Sequence, residues 1–422
     1  MSVNFILEIV SNQESVTTMS KRWVPDLALP TEFLAPAAVL GGRGSTKQIV
    51  KVLRDQFGLA GGTVLVAADD AVVNFGLAEN LLLALEDGGF RVVLRTGFGS
   101  EPTAEIVDAA AEEARAARAG AIIGIGGGSV LDSSKIISLL MLNDGTSADW
   151  LGVVDPPHGV APLVLIPTTC GTGAEATRIA MVTVDGAKRV SSCTRYVPQA
   201  AIIDPDLVAS LPRGVVASTG MDALAHAIES LMATSASPLS AHHAIGAIEM
   251  LMPSLDKAAE GDQDALARCL WGSHLAGQAL NAGVVMGHSL AYCLSYENPM
   301  PHGTSCALAL PYCIAYNQNL DPMLASALAR AITGGTSEDL HTAAQEILDL
   351  SRRLGLPTTL DEANIPEHAE ASIAQRCVRE YPRPTNPEPL EEESLERLVS
   401  AMRTGDLAAA FEATAQAATV NR

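Results

Sequence analysis

Ala121-Ile122-Ile123-Gly124-Ile125-Gly126-Gly127-Gly128-Ser129-Val130-Leu131-Asp132-Ser133-Ser134-Lys135 is the stretch that decides how this chain folds. Its first five residues form a short apolar run, the pattern of a strand buried on both faces of a parallel sheet. Gly126 to Ser129 read as a glycine turn, and Val130 to Leu140 as a helix carrying Asp132 and Lys135. Strand, tight turn and helix in that order are half of a βαβ unit. Three glycines let backbone N–H groups face an anion at the helix N-terminus, where the dipole favours negative charge, so a pyrophosphate fits there. The same turn also serves as a plain link without any ligand.

The flanking sequence repeats the alternation. Thr63 to Ala68 is a second buried strand that ends at Asp69-Asp70. A carboxylate at the carboxyl end of a parallel strand lies at the crevice where such sheets bind ligands, so Asp69 could accept a ribose 2'-hydroxyl and repel a 2'-phosphate. Either acid could equally cap a helix over residues 71–76. A helix over 77–87, a strand over 91–94 and a long Ala/Glu helix reaching Ala119 follow. Upstream, a strand at 37–40 opens through Gly41-Gly42-Arg43-Gly44-Ser45 into a helix near 47–54, a turn that suits either a phosphate or a simple βα link. Earlier still, an apolar segment and Trp23-Val24-Pro25 give only weak signals.

Downstream, Leu163 to Ile166 is another buried strand, followed by Pro167-Thr168-Thr169-Cys170-Gly171-Thr172-Gly173-Ala174-Glu175-Ala176-Thr177. That loop sets hydroxyls and glycines at a strand's carboxyl end, suited to a sugar-phosphate or a nicotinamide amide. Ala201-Ile202-Ile203-Asp204-Pro205 closes the alternating half. Strand signals then nearly vanish, so the expected domains are an α/β unit over 1–205 and an all-helical unit over 206–422. Helices are expected at 340–354, stopped by Gly355-Leu356-Pro357, and at 407–418, with a Pro-rich acidic loop at 381–393.

The helical half holds one carboxylate and three imidazoles at suggestive intervals. Asp222 and His226 are four apart and share a helix face. His288 and His302 flank a segment whose Asn298-Pro299 and Pro301 can fold back as a turn. Alone, each His reads as a core residue and the Asp as a cap. Together they form a borderline-hard set able to hold a divalent first-row metal with one position open.

The 422 residues carry a net charge of −21, which repels phosphate backbones and anionic head groups, so neither nucleic acid nor membrane is an expected partner. Seven cysteines, odd in number and without CxxC spacing, read as reduced and mostly buried thiols. The N-terminus lacks the basic n-region of a secretory signal, and the expected location is the cytoplasm. The span from Cys269 to Tyr296 has no Asp, Glu, Lys or Arg, yet His274, Gln278, Asn281 and His288 interrupt it, which favours buried helices over a membrane span.

Taken in order, Gly-Gly-Gly-Ser-x-x-Asp-x-x-Lys at 126–135, Pro-Thr-Thr-x-Gly-Thr-Gly-x-Glu-x-Thr at 167–177, Asp-Pro at 204–205, Gly-Met-Asp-Ala-Leu-x-His-Ala-Ile-Glu at 220–229, and the Gly-His and Pro-His-Gly pairs resemble the iron-containing (group III) alcohol dehydrogenases. The resemblance spans roughly residues 30 to 405. It implies an α/β dinucleotide-binding domain and an all-α metal-binding domain with the site between them, the architecture shared with glycerol dehydrogenase and dehydroquinate synthase. It implies metal ligands Asp222, His226, His288 and His302, holding Fe2+ or alternatively Zn2+. Pyrophosphate contacts fall to Gly126, Gly127, Gly128 and Ser129, and nicotinamide-side contacts to Thr168, Thr169 and Thr177. Asp132, Thr172 and Lys188 are further cofactor-side positions. Asp69 matches the acidic residue that accompanies NAD rather than NADP. Where many members carry a further His near the substrate, this chain has Tyr292, so an imidazole proton relay is missing. The family also implies a homodimer or larger homo-oligomer.

The expected activity is reversible oxidation of a primary alcohol to an aldehyde, with the metal as Lewis acid and the nicotinamide as hydride acceptor. Arg178 and Arg195 could meet a negatively charged tail, which offers the alternative of a reductase of a small anionic aldehyde bearing phosphonate or carboxylate, but each reads first as a surface or interdomain ion-pair partner. A dehydroquinate synthase-like lyase needs a cluster of basic residues, and few lie near the ligands in the helical half. A non-catalytic nucleotide sensor leaves four intact ligands without a purpose.

Overall fold

The computed structural model describes Pro25 and residues 31–415. The apolar segment near the start, Trp23 and Pro30 lie outside the described residues, as does the end of the last expected helix beyond Ala415.

Six parallel strands form the main sheet: β1 (Ala38–Gly41), β2 (Gly62–Ala68), β3 (Phe90–Arg95), β4 (Ala119–Gly126), β6 (Leu163–Pro167) and β9 (Ala200–Ile203), in the order β1-β9-β6-β4-β2-β3. Helices α1 (Ile49–Phe57), α2 (Asp70–Asn74), α3 (Glu79–Asp87), α4 (Ala104–Ala116) and α5 (Gly128–Leu140) connect them. Alternate residues of β4 enter opposite cores. Ala121, Ile123 and Ile125 pack with Val64, Val66 and Ile166 on one face, and Ile122 packs with Leu65, Leu163 and Leu165 on the other. Burial of both faces explains why these strands read as unbroken apolar runs rather than alternating ones.

A second, three-stranded sheet escaped the sequence reading: β5 (Gly152–Val153), β7 (Ile179–Val184) and β8 (Ala187–Ser192), in the order β5-β8-β7. Strands β7 and β8 are antiparallel and joined by Asp185-Gly186, both with positive φ (52° and 73°). Asp-Gly between two short runs is a strong hairpin signal, because both central positions of the favoured turn need that left-handed backbone.

Among the described residues no strand follows Ile203. The remainder is helical: α6 (Arg213–Met232), α7 (Pro238–Leu251), α8 (Leu255–Ala259), α9 (Gln263–Leu280), α10 (Met286–Glu297), α11 (His302–Tyr316), α12 (Pro322–Thr333), α13 (Leu340–Leu354), α14 (Glu370–Arg379), α15 (Glu392–Thr404) and α16 (Leu407–Ala415). The termini are set by local chemistry. Asp262 accepts from the N–H groups of Asp264 and Ala265 at the start of α9, and Ser237 exchanges bonds with Ser240 ahead of Pro238 in α7. Helix α6 is buried on every side from Gly220 to Met232, which is why it lacks an amphipathic stripe and is rich in small residues. Ala201 and Ile203 of β9 belong to the core of the helices, so that strand joins the two layers. The uncharged span from Cys269 lies within α9 and α10. Among the described residues no helix is long and apolar enough to cross a membrane.

Candidate metal and nucleotide site

Helix α6 presents Asp222 and His226 one turn apart, α10 presents His288, and α11 begins at His302. Asp222 Oδ1 is the common point: it lies 3.7 Å from His226 Nε2, 3.9 Å from His288 Nε2 and 3.6 Å from His302 Nε2. Donor atoms about 2.1 Å from a shared ion sit roughly 3.0–3.4 Å apart, so this set is slightly wider than a closed shell. The approach of α11 to α6 requires Gly303, because a Cβ there would meet Ser218 O at 1.8 Å.

Asp222 Oδ1 and His288 Nε2 are buried and have no hydrogen-bond partner. Buried polar atoms are almost always satisfied, so two orphans aimed at one point mark the place of a cation. Burial works against the charge of Asp222, yet His226, His302 and His288 hold its carboxyl below the usual range. His288 Nδ1 lies 2.6 Å from Glu229 Oε1, while Glu229 Oε2 accepts from the backbone N–H groups of Val285 (3.0 Å) and His288 (3.2 Å). That carboxylate fixes the proton on Nδ1 and leaves Nε2 free to coordinate. With side-chain exposure of 37% against 4% for His288, His302 marks the open side. The residues therefore fit a divalent ion.

Sequence reasoning gave Glu229 no role and did not single out Cys306. The thiol of Cys306 lies 3.6 Å from His302 Nε2, and its sulfur joins donor atoms of Asp222, His288 and His302 all within 4.8 Å of one another. The signal was present: Cys306 follows His302 by one turn, and Glu229 follows His226 by three residues. All seven cysteines are free and buried, as expected.

Tyr292 stands one turn after His288. Its ring stacks on His302 (5.3 Å, 11°) and meets His288 edge-on (6.3 Å), and burial pushes its phenol up to about 12.

At the sheet, Asp69 leaves α2 uncapped and instead accepts from the Gly127 N–H at 2.7 Å, its Oδ2 lying where a Cβ on Gly126 would sit. Burial raises its pKa against the lowering effect of that bond. Half-buried Thr169 and Thr172 face Gly127 and Gly128, and Thr168 N–H donates to Gly126 O at 3.0 Å. The turn thus gathers Asp69, Gly126, Gly127, Gly128, Thr168, Thr169 and Thr172. Ser129 points aside and donates to Ser100 O at 2.5 Å.

Asp132 and Thr177 are engaged within the protein. Buried Lys135 donates to Asp132 (3.1 Å), Thr177 Oγ1 (2.9 Å) and Ile179 O (2.6 Å), and the Met181 N–H donates to the other Asp132 oxygen (3.0 Å). The network ties α5 to β7. Lys188, exposed on β8, exerts its charge on both Asp132 and His302.

The loop 168–177 connects the glycine turn to the cluster. Gly171 lies against Thr219, one turn before Asp222, and Gly173 touches Gly277 of α9. Glu175 meets His274 at 3.0 Å, and His274 Nε2 lies 3.0 Å from Gln278.

Two readings left open by the sequence are decided by the structure. The turn at Gly41 to Ser45 has its donors occupied: Asp204 accepts from Gly44 N–H, Thr46 N–H and the Thr46 hydroxyl at 2.8–3.0 Å, which makes it a structural link. Arg178 and Arg195 are exposed partners of Glu32 (3.2 Å) and Asp155 (3.8 Å), so neither is a free anion receptor at the cluster.

Residues 36–205 match the family model described as iron-containing alcohol dehydrogenase, and residues 216–403 match that of the Fe-containing alcohol dehydrogenase family, C-terminal. Long-chain-alcohol dehydrogenase 1 of Geobacillus thermodenitrificans is 34% identical over 351 residues, covering 80% of this chain and 88% of the relative. NAD-dependent methanol dehydrogenase of Bacillus methanolicus is 29% identical, covering 85% and 96%. Among solved structures, sulfoacetaldehyde reductase from Bifidobacterium kashiwanohense in complex with NAD+ superposes with a TM-score of 0.82 at 27% identity, covering 90% of this chain and all of that one.

Proposed function

The chain belongs to the iron-containing alcohol dehydrogenase family, and from that premise we propose that it interconverts a primary alcohol and an aldehyde, with a nicotinamide dinucleotide as hydride carrier. The observation that carries the reading is the pair of buried, unpartnered donor atoms on Asp222 and His288 at the centre of an Asp/His cluster. When bound, the metal supplies a Lewis acid for the alcohol oxygen and the dinucleotide supplies the hydride acceptor.

The protein's own residues hold and orient. Asp222, His226, His288 and His302 are the proposed ligands, and Glu229 keeps His288 in the coordinating tautomer. Fe2+ is the proposed ion on family grounds, although such donors accept Zn2+ and generally bind it more tightly. The N–H groups of Gly128 and Ser129 are proposed to hold the pyrophosphate at the start of α5, while the Gly127 N–H is held by Asp69. Thr168, Thr169 and Thr172 border the nicotinamide side. Asp69 favours NAD over NADP, because a half-buried carboxylate beside the turn accepts a ribose hydroxyl and repels a 2'-phosphate. Asp132 and Thr177 act through Lys135, holding the helix and loop that frame the site, and Lys188 lends positive charge to its mouth. Tyr292 offers a phenol to the substrate rather than a proton relay.

The enzyme is proposed to work in the cytoplasm as a homo-oligomer, in keeping with its buried free thiols and its family. Metal analysis and a screen of short primary alcohols with NAD and NADP test the proposal. Production of NADH that tracks metal content is the expected result, and full turnover by a metal-free His288→Ala variant would refute the site.

A further inference from the structure

Arg383 lies in the segment between α14 and α15, and that segment is stapled onto α10. Ser289 Oγ donates to Tyr381 O at 2.6 Å, Met286 N–H donates to Asn386 Oδ1 at 3.0 Å, and Thr385 Oγ1 donates to Val284 O at 2.7 Å. These bonds hold the Arg383 guanidinium 5.8 Å from the ring of Tyr292, the same ring that stacks on His302 and meets His288 edge-on. Tyr381 closes the wall at 5.3 Å from Tyr292. Burial pushes the Tyr292 phenol up, and the charge of Arg383 works against that shift.

Among the described residues this cation has no counter-ion. Its Nε is buried without a hydrogen-bond partner, and among the described residues no carboxylate forms an ion pair with it. Its neighbours differ: Arg376 pairs with Glu380, Arg379 with Glu392, Arg397 with Glu393, and Arg403 with Asp361 and Glu370. In a chain of net charge −21, acidic partners are abundant. A place 5.8 Å from the Tyr292 ring centroid gives the guanidinium a cation–π neighbour and leaves its N–H donors to other partners. A half-buried guanidinium left open beside a reaction site is suited to a partner that arrives with the ligand.

Resting on the oxidoreductase reading, we infer that Arg383 receives a negatively charged tail of the substrate, so that the enzyme acts on short aldehydes or alcohols bearing a terminal oxyanion group. The planar fork of donors matches the paired oxygens of a carboxylate, sulfonate or phosphonate. Arg383 takes the place that Arg178 and Arg195 cannot fill.

The test compares 4-oxobutanoate, 2-oxoethanesulfonate and butanal as substrates of the metal-loaded enzyme with NADH. At least one anionic aldehyde should exceed butanal about tenfold or more in kcat/KM, and Arg383→Gln should shrink that preference roughly 10–100-fold, chiefly through KM. Arg383→Lys, which keeps the charge and loses the fork, should retain part of it. Butanoate, with the anion but nothing to reduce, should bind the NAD-loaded wild type and lose affinity in Arg383→Gln by a similar factor in titration calorimetry. Absence of turnover with all three aldehydes sinks the oxidoreductase reading itself. Turnover of butanal on a par with both anions, or a preference that survives Arg383→Gln, overturns the role of Arg383 and leaves the oxidoreductase reading standing.

Discussion

Glu229 holds His288 by both its ring and its main chain, with Oε1 2.6 Å from Nδ1 and Oε2 receiving the His288 N–H. One side chain therefore sets where the ligand sits and which nitrogen it offers. Glu229→Gln should retain the fold but weaken metal affinity about 10–100-fold. Glu229→Ala should in addition lose about 1–3 kcal/mol of stability, since it strands the buried Val285 and His288 N–H groups. Competition titration with a chelator and thermal melts measure the two effects separately.

Removal of metal should lower the melting temperature of the wild type. A ligand that binds only the folded state stabilises it by about 2.7 kcal/mol at a hundredfold excess over its dissociation constant. The orphaned atoms of Asp222 and His288 are where that free energy originates. A His288→Ala protein should show no metal-dependent shift in scanning calorimetry, and an unchanged shift would move the ion elsewhere.

Asp69 should control cofactor choice. Asp69→Gly removes the carboxylate that opposes a 2'-phosphate, and the ratio of kcat/KM for NAD over NADP should fall by about tenfold or more. An unaltered ratio would mean that the carboxylate serves only the Gly127 amide.

Tyr292 stays protonated throughout the working range, because burial pushes its phenol up to about 12 from an ordinary value of 10. Tyr292→Phe should therefore leave the shape of the pH–rate profile unchanged between roughly pH 6 and 9. Tyr292→His should bring a new ionisation into that window. A profile altered by the Phe variant would assign the phenol a proton-transfer role.

Gly277→Ala should destabilise the protein by about 1–3 kcal/mol, because its Cβ would meet Gly173 O at 2.4 Å, backbone against backbone, with no side chain able to yield. Gly214 at the start of α6, with nothing within 4 Å, should accept Ala freely. Paired melts of the two variants separate the close approach from a general helix effect.

Much of this is legible in the sequence. The apolar runs at Thr63–Ala68, Ala121–Ile125 and Leu163–Ile166 announced a two-sided parallel sheet, because periodicity vanishes when both faces are buried. The four donors Asp222, His226, His288 and His302 were visible through spacing and residue type; the structure gathers Asp222, His288 and His302 with Cys306 within 4.8 Å of one another and sets His226 3.7 Å from Asp222. Less was visible where distant segments cooperate. Glu229 acts through an element far along the chain, and Arg383 becomes meaningful only once its segment is folded onto α10. Asp132 and Thr177, cofactor-side positions by resemblance, also bond to buried Lys135, a partnership that spacing alone does not reveal. The hairpin at Asp185-Gly186 was missed because β7 and β8 form a small half-exposed sheet, whose apolar positions are too few to stand out.

The contact of Gly173 with Gly277 leaves no clearance between the strand layer and the helices at that place, and the Glu175–His274 bond lies beside it like a pin. A methyl group at either glycine would force the loop after β6 and α9 apart at that point. Two absent side chains thereby set how closely the two layers meet beside the site.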